Sequence, residues 1–272
     1  MGFGDNTDTT SSFVSRTKFV ASKKMGQNFL INKNVCKEIV EKINFEGVDL
    51  IIEVGPGTGA ITDFLVEKQI PTVLIELDKR LFEFISIRYK GLDYVQLINN
   101  DVLKINFDEI SKKYKKPIIV SNLPYSISSL VIIQFIKSQI PQTFYCMLQK
   151  EMVERMLAVP KTSLYNNFTV FLNRYTTIKK LITVSKNNFL PVPEIDSIVI
   201  SLTKNGNEYD EKYDKFVRLC FLSKRKTIVN NLQNSYPKQK VLDFLIKNNL
   251  SPTTRAEELN EQTIYELFNF LC

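Results

Sequence analysis

Five consecutive residues, Ser121-Asn122-Leu123-Pro124-Tyr125, place an amide, a proline and an aromatic ring between a predicted strand and a predicted helix. The apolar run 117–120 is typical of a short buried strand, and 128–133 of the start of a helix. Because ligands bind beyond the carboxyl ends of strands in open α/β sheets, Asn122 is a candidate binding residue. Pro124 restricts the backbone and can hold nearby carbonyls toward a cleft. An ordinary strand-to-helix turn is the alternative.

A glycine-rich turn, Gly55-Pro56-Gly57-Thr58-Gly59, follows an apolar strand predicted over 49–54. Glycines let backbone N–H groups approach a ligand closely, but this spacing matches neither the dinucleotide fingerprint nor a P-loop. The turn therefore suits a nucleoside or amino-acid moiety. The next predicted strand, 72–75, leads into Glu76, about 20 residues past the turn, where a carboxylate can accept from ribose hydroxyls. An exposed strand-end carboxylate is the alternative interpretation of Glu76.

Two more predicted strands end in polar residues. Asp101 follows the strand predicted over 94–98, where it can accept from the exocyclic amine of an adenine, and Gln149 follows the strand over 143–148. Helical segments are predicted between these apolar strands. Such alternation indicates an α/β fold with a mostly parallel sheet and a cleft at the carboxyl edge.

Two further strands are predicted over 178–183 and 197–203, joined by a segment that Pro191 and Pro193 make stiff. That segment fixes Phe189 either over the cleft or in the core. Beyond 204–207 the pattern is helical throughout. We therefore expect a disordered leader over 1–22, a catalytic domain over 23–204 and a small all-helical domain over 205–272.

The chain of 272 residues contains no histidine and four widely spaced cysteines. This composition counts against zinc sites, a disulfide framework and histidine-dependent nucleophilic catalysis. Chemistry must come from carboxylates, amides, aromatic rings or a cofactor, and we expect no metal. Without a membrane-length apolar run or an export signal, a cytoplasmic location is expected.

The net charge of +7 favours a polyanionic partner. The cations that could contact it include Lys23 and Lys24 near the N-terminus and the cluster Lys224-Arg225-Lys226. A solvated charged face is the alternative for each group.

Seven segments, taken in order, resemble the KsgA-type rRNA adenine dimethyltransferases, which are class I S-adenosylmethionine-dependent enzymes with a Rossmann-like sheet. The segments are Gly26-Gln27-Asn28-Phe29-Leu30, Glu53-Val54-Gly55-Pro56-Gly57, Glu76-Leu77-Asp78, Asn122-Leu123-Pro124-Tyr125, Leu148-Gln149-Lys150-Glu151, Phe189-Leu190-Pro191-Val192-Pro193-Glu194-Ile195-Asp196-Ser197 and Arg225-Lys226-Thr227-Ile228-Val229-Asn230-Asn231-Leu232. Tyr165-Asn166-Asn167 departs from the family pattern, as does Met25.

The resemblance implies dimethylation of two adjacent adenosines in a hairpin near the end of small-subunit rRNA, as free rRNA or in a precursor particle. It also implies a set of contacts to the methyl donor, to which the glycine turn adds Gly57: Asn28, Leu30, Gly55, Gly57, Glu76, Asp101 and Asn122. We expect a monomer without membrane attachment.

The residues suggest how an adenine amine becomes a nucleophile although its lone pair is delocalised. Hydrogen bonds to the Asn122 side-chain oxygen and the Leu123 carbonyl would aim that lone pair at the donor methyl, while Tyr125 and Phe189 would stack on the base. Pro124 would hold the carbonyls in place. Two rivals remain: an Erm-type large-subunit rRNA methyltransferase that gives antibiotic resistance, and a non-catalytic rRNA-binding factor of the same fold.

Overall fold

The computed structural model describes residues 28–122 and 126–272. The predicted leader, Lys23 and Lys24 lie outside the described residues, as do Leu123, Pro124 and Tyr125. The described chain divides into two compact units. The first contains the residues up to Lys150 together with Ile178–Thr203, and the second contains Glu151–Thr177 and Lys204–Cys272.

A seven-stranded sheet, formed by described residues, is the centre of the first unit, with strand order β4-β3-β2-β5-β6-β9-β7. Strands β2 to β6 pair in parallel along this order, and β6 pairs with β9 antiparallel. The sheet strands are β2 Leu50–Val54, β3 Thr72–Glu76, β4 Val95–Asn99, β5 Pro117–Asn122, β6 Thr143–Gln149, β7 Thr176–Val184 and β9 Ser197–Lys204. The predicted α/β class is confirmed.

Strands β2, β3 and β5 are apolar over almost their whole length because the sheet is covered on both faces. The helices of this part of the chain follow the strands, as parallel pairing requires. They are α1 Lys33–Glu41, α2 Thr62–Val66, α3 Lys79–Arg88, α4 Phe107–Ser111, α5 Ser128–Lys137 and α6 Lys150–Met156. A separate pair of short strands, β1 Phe29–Leu30 and β8 Phe189–Leu190, is antiparallel.

The apolar spacing over 34–43 predicts a helix with Asn34 as its N-cap, and the structure differs from this prediction. Asn32 is the cap, and its side-chain oxygen accepts from the backbone N–H groups of Asn34 and Val35 at 3.0 and 3.4 Å. Asn32 has the extended backbone of an N-cap, whereas Asn34 lies in the first turn. Helical periodicity alone could not choose between two asparagines two positions apart.

Apart from residues 151–156 of α6, which also belong to it, the second unit contains the predicted C-terminal helices and one further helix. These are α7 Asn167–Tyr175, α8 Glu211–Cys220, α9 Ile228–Leu232, α10 Lys238–Lys247 and α11 Glu261–Leu271. Helix α7 belongs here because its aromatic face packs into this core, with Phe171 against Tyr209 and Tyr175 against Tyr213. The boundary expected near residue 204 thus leaves out an earlier stretch, 151–177, that the contacts assign to the helical unit.

Candidate active site

A cleft of about 270 Å³ lies at the carboxyl ends of the parallel strands in the first unit. The strands β2, β3 and β5 each contribute their last residues to it, and the segment after β4 contributes Asn100 and Asp101. Parallel strands point their carboxyl ends to one edge, which is why residues far apart in the sequence meet there. All the predicted donor-contact residues line this one cleft: Asn28, Leu30, Gly55, Gly57, Glu76, Asp101 and Asn122.

The glycine turn has the backbone conformation that its composition predicts. Gly57 has a φ of +59°, in the left-handed region that favours glycine. A Cβ atom at this position would lie 3.3 Å from the Phe29 ring, so the turn also needs a residue without a side chain. Gly57 therefore allows β1, which contains Phe29, to lie close to the glycine turn at the cleft.

Glu76 is held in place by the backbone on both sides. Its Oε2 accepts from the Gly57 N–H at 3.1 Å, and its Oε1 accepts from the Asp78 N–H at 2.9 Å. The side chain is 6% exposed, which contradicts the alternative of an exposed strand-end carboxylate. Burial raises the pKa of this carboxyl, and the two N–H donors oppose that rise. The geometry fixes a hydrogen-bond acceptor at the cleft wall.

Asp101 lies one strand farther along the same edge. Its Oδ1 accepts from the Leu103 N–H at 3.0 Å and so caps the short 3₁₀ turn Val102–Lys104. This cap fixes the orientation of the carboxylate, which lines the cleft. Asp101 thus has both a local structural role and a position from which it can accept from a ligand.

Asn122 is the last residue of β5 and lines the cleft, and its strand end is tied to β2 by the Ser121 hydroxyl, which donates to the Val54 carbonyl at 2.6 Å. The Asn122 amide donates through Nδ2 to the Asn28 carbonyl at 3.5 Å. An amide that donates in this way keeps its side-chain oxygen as an acceptor. The observed orientation therefore suits an acceptor role toward an amine.

Phe189 does not lie open over the cleft as predicted for a base-stacking residue. Its ring is 2% exposed and belongs to a core cluster with Leu30, Val120 and Met147. The strand pairing of Phe189 with Leu30 directs the ring inward. The structure thus places Phe189 in the core, one of the two positions expected for it, and in this arrangement its ring is not open to a base.

One acidic residue of the cleft was missed by the sequence reasoning. Glu53 is buried in β2, lines the cleft and accepts from the Thr62 hydroxyl at 2.7 Å. Burial raises the pKa of Glu53 to about 8; the Thr62 hydrogen bond lowers it, and the nearby carboxylates of Asp63 and Glu76 raise it further. An acid inside an otherwise apolar strand was the available signal.

A second missed group supports the glycine turn from the side of α3. The Tyr89 hydroxyl lies 3.2 Å from the Gly59 carbonyl and 2.9 Å from Asp63 Oδ1. Arg88 donates to both oxygens of Asp63, at 3.0 and 2.6 Å. A Cβ on Gly59 would lie 2.2 Å from the Tyr89 hydroxyl. These contacts fix the turn to the helix behind it.

The predicted basic cluster lies in the second unit, where Lys224, Arg225 and Lys226 are all exposed. Tyr165 is buried there, and Asn166 caps α7 by accepting from the Phe168 and Thr169 N–H groups at 2.8 and 3.3 Å. The departure from the family pattern at 165–167 thus serves the packing of the helical unit.

Across the described ranges 28–122 and 126–272, no group of three or more acids or cysteines could hold a metal ion. In the same ranges, no helix is long and apolar enough to cross a membrane.

The whole chain has clear relatives. The family described as ribosomal RNA adenine dimethylase matches residues 18–272. A protein of Malacoplasma penetrans named ribosomal RNA small subunit methyltransferase A is 45% identical over 96% of this chain and 94% of its own length.

Two solved structures resemble this chain in fold. A dimethyladenosine transferase from Plasmodium falciparum has a TM-score of 0.74 at 25% identity, over 87% of this chain and 94% of that one. The 23S rRNA methyltransferase ErmE has a TM-score of 0.67 at 21% identity, over 89% of this chain and 99% of that one, and this likeness shows the fold alone. The resemblance drawn from the seven segments is confirmed: the chain belongs to the ribosomal RNA adenine dimethylase family.

Proposed function

We propose that this protein uses S-adenosylmethionine to dimethylate the exocyclic amines of two adjacent adenosines in the 3′-terminal hairpin of small-subunit rRNA, in ribosome biogenesis. The observation that carries the proposal is the meeting of seven predicted donor-contact residues in one cleft. Membership of the family makes the chain an rRNA adenine dimethyltransferase. The names of its relatives, which specify the small subunit, support the choice of substrate.

The residues of the cleft fit the methyl donor. Glu76 offers a fixed carboxylate for ribose hydroxyls, and Asp101 offers one for an adenine amine. The left-handed glycine at 57 lets the Phe29 ring pack against the glycine turn at the cleft. The donor, when bound, supplies an electrophilic sulfonium methyl group.

The chain's own contribution to the reaction is orientation of the target amine. The Asn122 side-chain oxygen accepts a hydrogen bond from that amine and sets the direction of its lone pair. The Leu123 carbonyl, Pro124 and the Tyr125 ring keep the roles predicted for them from the sequence. A strong general base is not needed, because the methylated ammonium product is acidic enough to lose its proton to water. This chemistry is open to a chain without histidine.

The substrate distinguishes this proposal from its rivals. The protein should methylate isolated small subunits, and mass mapping of the rRNA should show two adjacent dimethylated adenosines. Methylation confined to protein-free large-subunit rRNA would identify an Erm-type enzyme. If calorimetry detects no binding of S-adenosylmethionine, the non-catalytic rRNA-binding factor is the correct alternative. The proposed substrate fits a cytoplasmic enzyme, and the expected monomer can be checked by light scattering.

The role of Asn122 has its own test. Asn122→Ala should lose most methyl transfer, by about 100-fold or more, because the orienting acceptor is removed. Unfolding by urea should show that the variant still folds, since Asn122 is only part-buried. Near-normal turnover on small subunits would refute the orienting role.

A further inference from the structure

The donor cleft reaches Asn122 and ends there along the carboxyl edge of the sheet. The residues that line it belong to the stretch 28–127, and none of them comes from β6 or β9. The edge itself continues past Asn122, because β6 follows β5 in the strand order and β9 follows β6. With the donor on one side of Asn122, the side left for a target base is that of β6 and β9.

The strand register places two further polar side chains on that side. Asn122 lies opposite Met147 of β6, and Gln149 follows two positions later, where β6 ends. Gln149 lies opposite Ser197, the first residue of the antiparallel strand β9. Paired residues, and residues two positions apart in a strand, share a face of the sheet, and the spacing of strands puts the Cα atoms of Asn122 and Gln149 about 8 Å apart.

The packing of this face agrees with the register. Val120, Met147 and Val199 all belong to one core cluster. Gln149 and Ser197 extend the same face from this core to the carboxyl edge, where Gln149 is half-buried and Ser197 is 1% exposed. The apolar floor under Asn122 therefore ends in a side-chain amide and a hydroxyl.

The end of β6 is fixed by bonds that do not involve the Gln149 side chain. The Lys150 N–H donates to the Asp196 carbonyl at 3.0 Å, and Asp196 Oδ1 accepts from the Lys186 N–H at 2.9 Å. A side-chain amide on a strand end held in this way presents a donor and an acceptor at a defined place.

Ser197 has a hydroxyl that the fold does not satisfy. Its Oγ atom is buried and has no hydrogen-bond partner within 28–122 and 126–272. Side chains directly opposite each other in an antiparallel pair have Cβ atoms about 4.5 to 5.5 Å apart. The Gln149 Oε1 atom is therefore an acceptor within reach of this hydroxyl after a side-chain rotation.

We propose that Gln149 contacts the target adenine, an inference that rests on the proposed function. The two N–H groups of the base amine are used by Asn122 and Leu123, whereas the ring nitrogens that flank the amine, N1 and N7, are acceptors. The Gln149 Nε2 group donates to one of them and stops the base from turning about its bonds to Asn122. Ser197 is a positioning residue: its hydroxyl donates to Gln149 Oε1 and so keeps the N–H groups toward the base.

Base analogues test this contact. The substrates are small subunits reconstituted with rRNA that carries adenosine, 1-deazaadenosine or 7-deazaadenosine at the target positions, so that each analogue has a C–H in place of one ring nitrogen. At subsaturating substrate, the unmodified protein should methylate one analogue about 3- to 10-fold more slowly than adenosine, because one hydrogen bond is lost. Equal rates on all three substrates would overturn the proposal.

Gln149→Met removes the amide and keeps a side chain of similar length. It should methylate adenosine about 3- to 10-fold more slowly, with no further loss on the analogue that slows the unmodified protein. Losses that add for both analogues would show that Gln149 does not contact the ring.

Ser197→Ala should slow methylation about 2- to 4-fold, and this loss should vanish in the Gln149→Met background. A loss that persists there would contradict the positioning role. Ser201→Ala, four positions along β9, is its control and should keep the normal rate.

Gln142→Met is the control for Gln149→Met. Gln142 precedes β6 at its opposite end, and its Nε2 atom donates to the carbonyls of Gln139 and Ile140 at 2.7 and 3.1 Å. This variant should methylate all three substrates at the rates of the unmodified protein.

Each variant should bind S-adenosylmethionine normally by calorimetry, because the substituted residues do not line the donor cleft. If the unmodified protein leaves the adenosines of small subunits unmethylated, the proposed function fails and this contact with it. If it methylates them and Gln149→Met matches it on every substrate, the contact alone is refuted.

Discussion

At the scale of single residues, the candidate site depends on side chains that hold backbone groups rather than on a reactive nucleophile. Glu76 accepts from two backbone N–H groups, and Asp101 from one. Each carboxylate is therefore oriented before any ligand binds, which lowers the free-energy cost of ordering the site. The same reasoning applies to Tyr89, whose hydroxyl lies at the Gly59 carbonyl behind the cleft.

Tyr89→Phe tests whether the Tyr89 hydroxyl holds the glycine turn in place. It should weaken donor binding about 3- to 10-fold, because loss of the hydroxyl frees the glycine turn, and should lower the free energy of unfolding by about 1 kcal/mol. Donor affinity is measured by calorimetry and stability by urea unfolding.

Tyr94→Phe is the matched control, since the Tyr94 hydroxyl donates to the Val66 carbonyl at 3.0 Å, at the other end of α2. It should cost similar stability and leave donor affinity unchanged. Equal donor affinities in the two variants would show that Tyr89 contributes only to the fold.

At the scale of elements, the cleft is formed by the carboxyl ends of the strands and by the glycine turn. Both features were predicted from the sequence. The apolar strands predicted Glu76 and Asn122 at one edge, because parallel strands share a direction. The sequence could not predict the orientation of Phe189. A short strand has two faces, and only its pairing with β1 shows which face is buried.

Gly57→Ala tests the turn itself. A φ of +59° costs an alanine about 1 to 2 kcal/mol, and the added Cβ would press on the Phe29 ring at 3.3 Å. We expect donor affinity to fall about 10-fold or more by calorimetry.

Gly91→Ala is the control, because Gly91 has a φ of +91° but a Cβ there meets no atom within 4 Å. It should lose comparable stability and keep its donor affinity. A normal donor dissociation constant for Gly57→Ala would contradict the close approach of β1 to the turn.

At the scale of the whole molecule, the α/β class and the helical C-terminal part were predictable, and the assignment of 151–177 to the helical unit was not. Hydrophobic periodicity reports that a helix has a buried face but not which neighbours cover it. The aromatic partners of α7 come from segments such as α8, which begins 36 positions after α7 ends. Which distant segment covers a given helix face is decided by side-chain packing.

The stability of the whole molecule should depend on pH through the buried carboxyl group of Glu53. Its pKa of about 8 lies above the ordinary carboxyl value of 4.5, so between these values the folded state binds the additional proton. Its contribution to stability is then fully present below the ordinary value and is lost as the pH rises toward 8, by up to about 1.4 kcal/mol per pH unit.

Urea unfolding at several pH values checks this expectation. Glu53→Gln cannot titrate and still can accept from Thr62, so its stability should decline less between pH 5 and pH 8 than that of the unmodified protein. Parallel stability curves for the two proteins over that range would mean that Glu53 is ionised in the folded state.

The pairing of β1 with β8 has a consequence for the order in which the protein becomes functional. Asn32 and Asn188, which flank this pair and are hydrogen-bonded to each other, are 156 positions apart. The wall of the cleft at Phe29 therefore cannot close on a growing chain until the segment around residue 190 has left the ribosome, although strands β2 to β5 are complete much earlier. Closing so long a loop is a late and entropically costly event. A nascent chain is thus expected to gain its donor site only when most of it has been synthesised.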